Sequence, residues 1–73
     1  MEISKTTGNL YSLKDVVPIR DPKQQKLYIK HEVYPIDMYA STDSITGEDK
    51  LVMLFSRIES KSLYALWQNH ELK

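Results

Sequence analysis

The sequence contains no cysteine at all. That excludes a disulfide scaffold, a thiolate zinc site and a cysteine nucleophile, and it favours a reducing, cytoplasmic setting over secretion. Glycine is nearly absent too. Gly8 and Gly47 are the only two and lie far apart, so no phosphate-cradling or dinucleotide fingerprint can be assembled. No G-x-S-x-G elbow is present either. No apolar run approaches the roughly 18 residues needed to span a bilayer, and Met1–Asn9 lacks the apolar stretch of a signal peptide. Net charge is absent as well, with ten basic and ten acidic side chains, which argues against a dedicated nucleic-acid binder.

What remains has the composition of a small globular domain: 73 residues, 41% hydrophobic and 27% charged. A single domain, 1–73, is expected, with a core so small that nearly every large apolar side chain is needed inside. The charges are unevenly placed. Residues 1–31 hold six bases and three acids, and residues 50–73 hold four bases and two acids. Residues 32–49 hold Glu32, Asp37, Asp43, Glu48 and Asp49 with no Lys or Arg.

Residues 1–9 read as irregular, with a turn signal at Thr6-Thr7-Gly8-Asn9. Leu10–Leu13 and Val16–Ile19 are β-prone, and Pro18 assigns the second piece to a sheet edge. Asp21-Pro22, with Gln24 at the N3 site, opens a helix from Pro22 to His31. On it Lys23, Lys26 and Lys30 share one face, and Leu27, Tyr28 and His31 another. Ile36, Met38 and Ala40 then alternate with Asp37, Tyr39 and Ser41, the pattern of a half-buried strand. A polar loop over 42–49 leads to Leu51–Phe55, apolar enough to be covered on both faces. Ser56-x-x-Glu59 starts a second helix, with Ser60 as a rival cap and Leu63, Leu66, Trp67 and His70 as its buried stripe. The order β-α-β-β-α predicts an α+β domain, a three-stranded mainly antiparallel sheet with two helices on one face.

Chemistry is sparse. His31-Glu32 and His70-Glu71 would make a metal site if the helix ends met, but neither pair has the spacing that sets two ligands on one helix face, so no metal or cofactor is expected. The loop Asp43–Asp49 resembles a calcium loop, but Ile45 stands where an oxygen ligand belongs. No enzyme is expected. Five tyrosines are many for this length, and Tyr39, on the strand face opposite Met38, is the best interface candidate.

From Leu10 onward the segments L-Y-S-L-K-D-V, D-P-K-Q-Q-K-L-Y-I-K, Y-P-I-D-M-Y-A-S, L-V-M-L-F-S-R and E-S-K-S-L-Y-A-L-W-Q-N-H-E-L run together. In these the chain resembles small uncharacterised proteins of phages, prophages and integrative elements in Gram-positive bacteria. The resemblance implies a mobile-element setting and brings no activity, cofactor or functional residue with it.

The leading expectation is a non-catalytic protein-binding module, with a phage-encoded inhibitor of a host protein, such as an anti-CRISPR or other anti-defence protein, as one form. It would act by steric occlusion, meeting the basic surface of a nucleic-acid-binding nuclease through Asp37, Tyr39, Asp43, Glu48 and Asp49. The alternative is a nucleic-acid-binding accessory protein using Arg20, Lys23, Lys26 and Lys30, with Tyr28 stacking on a base. A homo-oligomeric module pairing spare faces such as Val52 and Leu54 is the third reading.

Overall fold

A computed structural model describes all 73 residues, Met1–Lys73. In chain order the elements are β1 (Glu2–Ile3), β2 (Leu10–Tyr11), a 3₁₀ turn (Leu13–Asp15), β3 (Val16–Ile19), α1 (Pro22–Lys30), β4 (Asp37–Thr42), β5 (Asp49–Ser56) and α2 (Arg57–Gln68). The main sheet is antiparallel in the order β3-β5-β4, and β1 and β2 form a separate two-stranded ribbon. The fold is therefore α+β, as the capping and periodicity signals predict. No helix is long and apolar enough to cross a membrane.

The most apolar segment takes the central position. Alternation along β5 sends Met53 and Phe55 to the helix side, where they join Ile19, Tyr28, Leu63 and Leu72. Val52 and Leu54 point the other way and pack with Val16, Tyr11 and Ile36. Both faces of β5 are covered, which is why its sequence reads as a continuous apolar run. Tyr28 and Phe55 meet edge to face, with centroids 5.0 Å apart at 74°. Pro18 lies in β3, an edge strand, where its missing N–H costs no ladder bond.

Both helix starts follow their sequence signals. The Asp21 carboxylate accepts from the amides of Lys23 (2.8 Å) and Gln24 (3.2 Å), and the Ser56 hydroxyl accepts from the Glu59 amide (3.3 Å). Ser60 is not a cap. It lies one turn inside α2, buried, and donates to the Ser56 carbonyl. Gln24 does not close a capping box, because its amide reaches inward to the Tyr28 hydroxyl at 2.9 Å.

Several expectations fail at the helix faces and ends. The inner face of α1 is Gln24, Gln25 and Tyr28, while Leu27 is half-buried and His31 exposed. Gln25 is buried because its amide donates to the carbonyls of Ile19 (2.8 Å) and Leu51 (2.7 Å), tying α1 to β3 and β5. Both helices end in Schellman turns without glycine. Val33 N–H donates to the Tyr28 carbonyl and Glu32 N–H to that of Ile29. In α2, Glu71 N–H donates to Leu66 and His70 N–H to Trp67. Glu32 and His70 take the left-handed positions, with φ of 64° and 58°. The expected stripe holds in part: Leu63 is buried and Trp67 half-buried, but Leu66 is exposed within α2, and the reversal at His70 leaves that residue exposed and folds Leu72 back into the core.

The N-terminus departs from the expected irregular segment at Glu2–Ile3, which form a short strand, and keeps a turn after it. Glu2 and Ile3 pair with Tyr11 and Leu10, and the connecting turn docks along the free edge of β4, reaching round to Asp37. Ser4, buried at its centre, accepts from the amides of Thr6 (3.2 Å) and Thr7 (2.9 Å). Thr6 donates to the Met38 carbonyl (3.1 Å), and Thr7 and Asn9 donate to that of Ile36 (2.5 and 3.2 Å). The turn thus covers the first half of β4 and leaves its second half open.

Candidate interaction surface

The β4–β5 hairpin carries all five residues of the acidic candidate surface, but it does not present them alike. Asp37 is 9% exposed and is not a contact residue. Its carboxylate accepts from Ser4 Oγ (2.6 Å), the Tyr11 hydroxyl (2.5 Å) and the Met38 amide (2.8 Å). The Ser4 hydrogen bond, then that from Tyr11, holds the Asp37 carboxyl below the usual carboxylate range. In return the bond to Asp37, and next burial, push the Tyr11 hydroxyl up to about 12. Asp37 is the anchor of the N-terminal turn, and its placement among partner contacts is corrected accordingly.

Asp43 is half-buried and shapes its own loop. Its side chain accepts from the amides of Ile45 (2.8 Å) and Thr46 (3.1 Å). Those backbone bonds, Thr46 first, lower its carboxyl from the ordinary value, with Lys50 adding a smaller effect. The loop closes through Asp43 N–H to the Glu48 carbonyl (2.8 Å) and Gly47 N–H to the Asp43 carbonyl (2.9 Å). Gly47, at φ 73°, supplies the left-handed residue this closure needs. Asp49 is exposed and accepts from Thr42 Oγ1 at 2.7 Å. Glu48 is exposed, and its carboxylate takes no hydrogen bond among those that shape the loop.

Tyr39 is exposed on the face away from the helices, opposite Val52, as alternation with Met38 requires. The expected apolar stripe around it holds only at Met38, which is half-buried. Ala40 is exposed, and Ile36 precedes the strand and packs on the outer cluster. At the apex stands Ile45, 93% exposed. In the sequence Ile45 stands out only as a missing oxygen ligand. Its signal was an isolated branched aliphatic at the centre of a polar loop.

The basic candidates are less unified. Lys23, Lys26 and Lys30 are exposed, but Tyr28 is wholly buried, so the expected stacking of Tyr28 on a base is overturned. Arg20 and Lys26 line an open groove of about 780 Å³ between the start of α1 and β5, and Lys50 lies there too. Asp21, Glu48 and Asp49 line the same groove. The acidic and basic surfaces therefore meet, and the hairpin that is uniformly acidic in sequence is mixed in space on its helix side. No group of three or more His, Asp or Glu side chains that could hold a metal ion occurs. His31 Nε2 instead lies 2.8 Å from the main-chain oxygen of Lys73.

No family model matches the chain, and neither a curated protein nor a solved structure matches it.

Proposed function

We propose that this chain is a non-catalytic protein-binding module whose contact surface is the far end of the β4–β5 hairpin. Ile45 forms the apolar centre, and Tyr39, Asp43, Glu48 and Asp49 form the polar surround. The partner presents a cationic surface with an apolar recess, as a nucleic-acid-binding nuclease does beside its channel, and the module acts by occupying it. A phage-encoded inhibitor of a host defence enzyme, the anti-CRISPR type included, is the concrete biological form.

One observation carries this reading. Ile45 is 93% exposed, yet it sits on a loop fixed by hydrogen bonds from its own amide and those of Asp43, Thr46 and Gly47. An apolar side chain held rigidly in water gains little for the isolated domain, whereas a pre-ordered knob lowers the ordering cost of binding. The exposed Glu48 and Asp49 beside it would speed encounter with a basic partner.

The test is affinity purification from the native host with the parent chain and with Ile45→Lys plus Glu48→Lys. The parent retains a partner that the variant loses. Retention of the same partner by the variant refutes the proposal. Retention of the parent on DNA at low salt, lost when Lys23, Lys26 and Lys30 are reversed to Glu, would put the accessory-protein reading in its place.

A further inference from the structure

The second most exposed isoleucine lies at the opposite end of β5. Ile58, 86% exposed, stands in the first turn of α2, immediately after the strand ends. It lines a trough of about 560 Å³ between α2 and the edge strand β3, with Val17, Pro18 and Tyr64 as further apolar lining. Arg57 and Lys61 are the charged residues of this trough, and no carboxylate lines it. Arg57 is fixed in place, donating from Nε to the Lys14 carbonyl (3.2 Å) and from Nη2 to that of Val16 (3.1 Å). Lys61 follows one helical turn later and is exposed.

The molecule thus carries two unpaired aliphatic features in different surroundings. Ile45 is a knob on a loop that carries Asp43, Glu48 and Asp49, with Arg20 and Lys50 beside it on the sheet side, and Ile58 borders a recess whose charged residues are Arg57 and Lys61. The eight residues of β5 separate them by roughly 25 Å, so a tip cannot reach the trough of its own chain. A tip can reach the trough of another chain. We infer that a second copy of this protein occupies the trough, its Ile45 entering between Ile58, Pro18 and Tyr64 and its tip carboxylates facing Arg57 and Lys61. Both exposed isoleucines are then covered in one contact, and the tip carboxylates are opposite in charge to the trough's Arg57 and Lys61. The contact joins two different patches, so it is heterologous and copies add head to tail, the assembly growing with concentration. β3 itself is poorly suited to adding a strand, because Pro18 lacks an N–H and the Val16 carbonyl already accepts from Arg57. The contact is therefore made by side chains.

This inference rests on the tip being a contact surface, and the trough side separates it from the proposal above. Sedimentation velocity of the parent chain, from micromolar to millimolar protein, reads the association. The expected result is a weight-average mass that rises with concentration at low salt and rises less at high salt. Ile45→Lys and Lys61→Glu, both at exposed positions, each weaken the association about tenfold or more while circular dichroism stays parent-like. A chain with Glu48→Lys and a chain with Lys61→Glu each remain monomeric alone and associate when mixed, because the reversed tip then meets the reversed trough. A parent chain that stays monomeric to millimolar concentration overturns the inference. So does association that Lys61→Glu leaves intact, or a mixture of the two folded variants that fails to associate. Lys61→Glu leaves capture of a foreign partner unchanged, so failure here is distinct from failure of the proposed function.

Discussion

The two faces of the main sheet are closed by different physics. On the helix face, Ile19, Tyr28, Phe55, Leu63 and Leu72 pack as an apolar cluster, with Val17, Met53 and Trp67 at its margin. On the outer face the buried cluster is Val16, Val52 and Leu54, with Tyr11 and Ile36 at its margin, and beside it a turn of serine, threonine and asparagine is held to Asp37 and to the β4 edge by hydrogen bonds. Apolar burial is non-directional and scales with area, so it tolerates imprecise geometry. A polar layer depends on each donor finding its acceptor, because an unpaired buried group is costly. The helix face should therefore set global stability, and the outer face should hold the N-terminal turn as a separable layer.

The largest effect is expected at the helix face. Phe55→Ala removes a wholly buried ring that Tyr28 meets edge to face, and it should cost about 3–5 kcal/mol in urea denaturation, enough to unfold a domain of this size. Trp67→Ala should cost less, about 2–3 kcal/mol, because Trp67 is half-buried at the cluster's margin. If the Trp67 change proves the more damaging of the two, the core is centred on α2 and not on β5.

On the outer face, Ser4→Ala should cost about 1–3 kcal/mol, since it leaves Asp37 without its buried serine donor and two amides without an acceptor. The same layer responds to pH at both extremes. Asp37 is held below its ordinary 3.8, so its contribution is complete above that value and is lost as pH falls through the lower, folded value. Tyr11 is raised from 10.0 to about 12, so its contribution is complete below pH 10 and is lost as pH rises towards 12. A tyrosinate absorbance titration checks the link. In Asp37→Asn the late-titrating hydroxyl should move back towards 10, and an unchanged curve would break the pairing.

Smaller effects sharpen the contrast at the helix ends. Asp21→Ala should cost about 1 kcal/mol through loss of the N-cap. Glu32→Gly and His70→Gly should each stabilise by about 0.5–1 kcal/mol, because each residue now holds a left-handed conformation that glycine adopts freely. Thermal melts of the two single variants decide this. Smallest of all, Ile45→Lys with Glu48→Lys should change stability by less than about 0.5 kcal/mol, since both side chains are exposed. Asp43→Lys should cost more, because it removes the acceptor for two loop amides.

The difference between the faces also explains what the sequence disclosed. Asp21, Ser56 and the run Leu51–Phe55 were legible because caps and apolar periodicity leave local signatures. Ser4 and Asp37 were not, because they lie 33 residues apart and each is polar, so neither disturbs any period. Asp37 therefore read as a surface acid among five. Gln24 reads as a capping residue and Gln25 gives no signal for the same reason, both being buried through directed hydrogen bonds. The apolar spacing of α2 runs on to His70, because the reversal there carries no glycine to announce it, and it does not show that Leu66 is exposed. The tip is a loop, as its polar residues and Gly47 predict, and its exposed apex is Ile45.

Native-state hydrogen exchange on the parent and Ser4→Ala tests the division between the faces most directly. The predicted result is that protection of the Thr7 and Gly8 amides collapses in the variant. Protection of the β5 amides should fall only by the variant's loss of global stability. Retained protection at Thr7 and Gly8, or an equal fall across both layers, would contradict the account by showing that the two faces open as one unit.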